Sequence, residues 1–165
     1  MSAAFTGLQR CGPEPNLIDS VVNAATILLP VDEVGVALSP LSEQLSTVPL
    51  ALFEVASALA RHRYWELGLS VAESAAELVP ESSNGPWRIA QLILGEPAAR
   101  ELEGDRLVEL VQLTLERAPE FVPARVVLGW MVLDEDPDQV QSLLQEADAR
   151  KAPVLVWSLA EKMFE

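Results

Sequence analysis

The chain has 165 residues, half of them hydrophobic, and carries 25 Asp and Glu against 11 Lys and Arg, a formal net charge of −14. A chain of this length buries roughly 70% of its unfolded surface, so a core forms without disulfides or a metal, and this hydrophobic content excludes wholesale disorder. The acidic residues occur in every quarter of the sequence; this excludes a phosphate-backbone binder, whose affinity rests on Lys and Arg, and argues against docking on anionic lipid.

The opening "MSAAFTGLQRCGPEP" lacks an apolar stretch long enough for a secretory signal. Its Cys11 is the single cysteine, so no intrachain disulfide forms. The longest nearly apolar run, "VPLALFEVASALA", contains Glu54 and is too short to span a bilayer. These features lead to the expectation of a cytoplasmic protein with no direct membrane insertion.

Residues 1–47 read as an N-terminal extension. "NLIDSVVNAATILLP" predicts a helix ending near Pro30. "VDEVGVALSP" is ambiguous, because Val34, Val36 and Leu38 alternate as in a strand. "SPLSEQLS" predicts a short helix with Ser39 as cap and Pro40 at its first position. Residues 48–165 form the main domain and read as helical throughout. Leu52, Val55, Ala56 and Leu59 recur at three- and four-residue spacing, as do Leu107, Leu110, Val111 and Leu115. Breakers at Pro80, Asn84-Gly85-Pro86, Glu96-Pro97, Gly104, Pro119, Pro123, Pro137 and Pro153 cut this domain into helices of ordinary length. Pro86 and Pro137 suit a first helical position. Asp105 and Asp136 suit caps.

The stretch "YWELGLSVAESAAELVPES" places Gly68, Ala72, Ala75 and Ala76 along one helix and then closes it at Pro80. Small residues let two antiparallel helices approach closely. Pro119 and Pro153 are 34 residues apart, and paired helices at that period mark a tetratricopeptide array. Residues 49–82 resemble one such repeat. Leu52, Val55, Ala56 and Leu59 match its large–large–small–large positions, Trp65 its aromatic turn, Gly68, Ala72 and Ala75 its second helix, and Pro80 its closing proline. Leu52 stands where Trp is usual and Gly68 where Ala is usual.

Two further repeats are more degenerate. Residues 86–119 match through Trp87, Ala90, Leu94, Leu107, Val111 and Pro119, with about four extra residues near Glu96–Glu103 and with Gln91 at a small-residue position. Residues 123–153 match through Leu128, Gly129, Val132, Val140, Leu144 and Ala147, and "PVLVWSLAEKMFE" resembles a capping helix. The resemblance spans about 115 residues. It implies an all-α tetratricopeptide-like array of about three helix pairs; an unrelated helical bundle or another helical repeat is the alternative.

Catalytic equipment is sparse. His62 is the only histidine, no zinc-ligand spacing occurs, and no phosphate-binding glycine loop is present. Neither an enzyme nor a cofactor or metal site is expected. His62 reads as a residue at a helix end, and "DEDPD" at 134–138 as a solvated turn, since it lacks the glycine and distant glutamate of a calcium loop. Trp65 and Trp87 read as core.

The resemblance implies that first helices line a concave groove in which a partner protein docks. Its groove positions fall on Phe53, Ser57 and Arg61, then Arg88 and Leu92, then Val126, Trp130 and Leu133. This mostly apolar set suits a helical or extended apolar segment of another protein, and would equally fit the chain's own residues 15–29. An adaptor, scaffold or assembly subunit is the expected function. A chaperone of the type III secretion kind is the alternative, and an enzyme of unknown chemistry the remote one.

Overall fold

In the computed structural model, residues 14–132 are described, and they hold eight helices and no strand. Helix α1 (Pro15–Leu28) starts with Pro at its first position and buries Ile18, Val21, Val22 and Ala25, one stripe at helical spacing. Two residues later α2 (Val31–Leu45) begins and buries Val34, Leu38, Leu41 and Leu45.

The expected boundary inside α2 does not exist. The ambiguous run and the short helix after it form one helix, with Pro40 in its interior. Proline at 40 removes the N–H that would bond the Val36 carbonyl. The Ser39 hydroxyl donates to that carbonyl instead, at 2.9 Å. Ser39 is therefore a repair within the helix and not a cap. The buried stripe runs straight through the proline and outweighs the Val34–Val36–Leu38 alternation.

Helix α3 (Pro49–Arg61) buries seven of its 13 residues, because α1 packs on one side of it and α4 (Trp65–Glu77) on another. The α3–α4 contact is the close one that the small residues anticipate. A Cβ built on Gly68 would lie 2.7 Å from the Ala56 carbonyl oxygen and 3.4 Å from the Ala60 amide nitrogen, so only glycine fits. Ala56, Ala72 and Ala75 are fully buried beside it. Between the two helices the chain turns with Arg63 at φ 69°. The Tyr64 amide bonds the Leu59 carbonyl and the Arg63 amide bonds the Ala60 carbonyl, both at 2.9 Å. This is the Schellman arrangement, with Arg where glycine is usual.

Helix α5 (Asn84–Gly95) buries Gly85, Pro86, Ile89, Ala90 and Ile93. It begins two residues before Pro86, which sits in the first turn, where amide hydrogens lack helical partners anyway. The extra residues near 96–103 form a short helix, α6 (Pro97–Leu102). Helix α7 (Gly104–Arg117) buries Leu107, Val111 and Thr114, whose hydroxyl donates to the Leu110 carbonyl at 2.7 Å. Asp105 lies inside the first turn of α7 and makes no side-chain cap bond; it acts there through the helix dipole. Helix α8 (Val122–Val132) buries Ala124, Val127, Leu128 and Gly129. The second helix of the third repeat, the capping segment, Cys11 and residues 134–138 lie outside the described residues.

Packing runs α3 on α4, α4 on α5, α5 on α7 and α7 on α8, the succession of a helical repeat array. Residues of α1 and α2 belong to the same core cluster as those of α3 to α8. Trp65 and Trp87 are half-buried against that core, as expected, and Trp87 meets Phe121 edge-on at 5.1 Å. Arg106 ties α4 to α7 by hydrogen bonds to Glu73 and to Glu103. The Glu73 hydrogen bond raises the Arg106 pKa against the opposing effect of partial burial, so this tie is cationic throughout the working pH range.

Candidate partner-binding groove

Helices α3 and α5 are the first helices of consecutive pairs and lie side by side. Between them runs a cleft of about 310 Å³ lined by Ser57, Arg61, Arg88, Gln91, Leu92 and Glu96, together with Ala60 and Gly95. Four residues expected in the groove, Ser57, Arg61, Arg88 and Leu92, are thus brought together. Residues 57 and 61 project one turn apart on α3, and 88, 91, 92 and 95 share a face of α5.

Both arginines are loosely held. Arg61 bonds Asp19 of α1 at 2.7 Å, with the two side chains 56% and 42% exposed. Arg88 lies 3.9 Å from Glu54, with both side chains about one-third exposed. Exposed pairs of this kind contribute about 0–1 kcal/mol. Each guanidinium has five donors, so an arriving carboxylate can share or replace the internal one at small cost. The Ser57 hydroxyl donates to its own helix at the Phe53 carbonyl, 2.8 Å away, and presents mainly a small surface.

The other expected groove residues are placed differently. Phe53 is 1% exposed and among the largest fully buried side chains. The ring belongs to the core cluster to which all the described helices contribute. Val126 is 8% exposed on α8. Trp130 remains 42% exposed on that helix, but neither residue lines the α3–α5 cleft. Leu133 lies outside the described residues. Residues 15–28 do not occupy the cleft; they form α1, which packs chiefly on α3 and borders the cleft through the Asp19–Arg61 pair.

Gln91 and Glu96 were missed. Gln91 stands where the resemblance expects a small residue, and it is exposed and lines the cleft. After Gly85, the buried residues of α5 are Pro86, Ile89, Ala90 and Ile93, which reproduce the spacing of Leu52, Val55, Ala56 and Leu59. The repeat therefore starts one residue earlier than the Trp87 alignment gives. The signal was present in the sequence: a glutamine at a close-packed helix contact would be buried without room or partner.

Among the described residues no group of histidine, cysteine and carboxylates is arranged to hold a metal, and no helix is long and apolar enough to cross a membrane. No known family matches the chain in sequence, and no curated protein does. Solved structures that share its fold include two forms of MamA. One is the MamA RS-1 ArsTM double mutant, 14% identical, with a TM-score of 0.52 over 96% of this chain and 80% of that one. The other is MamA 41-end from Desulfovibrio magneticus RS-1, 14% identical, with a TM-score of 0.51 over 98% of this chain and 93% of that one. The fold is a tetratricopeptide-like helical array. At this level of identity the likeness concerns the fold alone.

Proposed function

We propose that the chain is a non-catalytic protein-interaction module, an adaptor or scaffold, whose α3–α5 cleft receives a segment of a partner protein. The segment presents an apolar side chain to Leu92 and Ala60 and a carboxylate to Arg61 and Arg88. The observation that carries this reading is the convergence of two weakly paired arginines on one cleft in a chain of net charge −14. Local cation density against a repulsive background favours an anionic group at that spot and disfavours it elsewhere. The secretion-chaperone alternative has no diagnostic motif in the sequence, and the adaptor reading is preferred.

Site-specific photo-crosslinking in the native cell tests this. A photoreactive residue at Gln91 in the cleft should capture one protein through one segment, and the same probe at exposed Glu109 on α7 should not. Charge reversal of Arg61 and Arg88 should abolish the Gln91 product. Equal capture from both positions, or capture indifferent to the two arginines, would reject the cleft.

A further inference from the structure

The connection from α1 to α2 reads Ile27-Leu28-Leu29-Pro30-Val31, five apolar residues in succession. Turns are ordinarily polar, and a run of exposed apolar side chains marks a surface that something else covers. Ile27, Leu28 and Val31 are 71%, 70% and 75% exposed, and Val36 farther along α2 is 75% exposed.

Beside this projection lies a recess of about 340 Å³ between the start of α2 and the α3–α4 turn, lined by Val31, Gly35, Tyr64, Trp65 and Leu67 and rimmed by charge. Gly35 keeps it open, since a Cβ there would already reach ordinary contact with Leu67 at 3.6 Å. Val31 belongs to both the projection and the recess. An apolar knob and an apolar hole thus lie side by side on one face. A twofold contact needs this arrangement, because each copy must offer both halves.

The rim is self-complementary as well. Arg63 lines the recess together with Asp32 and Glu66, yet among the described residues none of the three makes an ion pair. The Schellman turn fixes where Arg63 emerges. The position of an unpaired cation next to an unpaired carboxylate suits a second copy turned through 180°, which aligns each with its opposite. A lipid surface suits it less, because Asp32 and Glu33 adjoin the knob and the whole chain is acidic.

We propose that the chain forms a homodimer through this face. Ile27 and Leu28 of each copy enter the recess of the other, and Arg63 pairs with Asp32 across the axis. This surface is separate from the α3–α5 cleft and does not depend on it.

Sedimentation velocity on the full chain, over a roughly hundredfold concentration range around a micromolar dissociation constant, tests the proposal. The wild type should shift with concentration to a species of twice the 17.9 kDa chain mass. Leu28→Glu and Leu28→Lys should both remain single copies with unchanged circular dichroism, since the side chain is exposed. Using both signs separates loss of apolar contact from added repulsion. Arg63→Glu alone and Asp32→Lys alone should also remain single copies, and an equimolar mixture of the two should restore the double species.

A wild type that stays monomeric, a dimer that survives in both Leu28 variants, or a mixture no better than its components would overturn the proposal. So would flotation of a monomeric wild type with phosphatidylcholine vesicles that Leu28→Glu abolishes, since the knob would then be a lipid contact.

Discussion

The α3–α4 pair and the α1–α2 pair use similar lengths of helix to opposite effect. In the first, Ala56, Gly68, Ala72 and Ala75 bring backbones close enough that a glycine hydrogen is the only side chain that fits. In the second, α1 packs chiefly on α3, and α2 scarcely touches α4 although both run the same way. That direction is shown by two recesses. One joins the start of α2 to the start of α4, and the other joins Ser42 and Ser46 to Ser74 and Leu78 near the ends of both helices. Close packing consumes apolar surface inside the array; loose packing leaves it outside, as at Ile27, Leu28, Val31 and Val36. Small residues thus bring two helices close only where they face a neighbouring backbone, as Gly68 does and Gly35 does not.

The comparison can be broken most forcefully at Phe53. Its full burial in the core predicts a loss of about 3–5 kcal/mol for Phe53→Ala in denaturant unfolding. A stable Phe53→Ala would mean that the ring does not fill the core. Gly68→Leu should cost about 1–3 kcal/mol by overpacking; thermal unfolding like that of the wild type would remove the close approach from the account. The matched glycine of the loose pair behaves oppositely. At Gly35 an added methyl meets only the Leu67 side chain at ordinary distance, so Gly35→Ala should stabilise by up to about 1 kcal/mol through helix propensity. A destabilised Gly35→Ala would show that α2 and α4 are tighter than described. The smallest effect belongs to Arg61→Ala, which removes an exposed pair with Asp19 and should change stability by less than about 1 kcal/mol.

Legibility in the sequence follows the same division. The α3–α4 pair could be read residue by residue, because its contact depends on small side chains at fixed spacing, and spacing is visible. The continuity of α2 through Pro40 was not, because it depends on a local exchange of donors between Pro40 and the Ser39 hydroxyl. Ser57, Arg61, Arg88 and Leu92, half of the residues the resemblance assigns to a groove, line one cleft. Phe53 is buried for a tertiary reason: whether an apolar position on α3 faces a groove or the core depends on which helices pack over it. Gln91 failed through alignment, since anchoring on Trp87 shifted the register of α5 by one residue.

The α3–α5 cleft is the proposed docking site of the partner. Calorimetric titration of the segment captured at Gln91, against the wild type and against the Arg61→Glu, Arg88→Glu double variant, tests it most directly. A drop in affinity of at least tenfold, about 1.4 kcal/mol, with circular dichroism and melting temperature unchanged, is the predicted result. Equal affinity for the two proteins would contradict the claim.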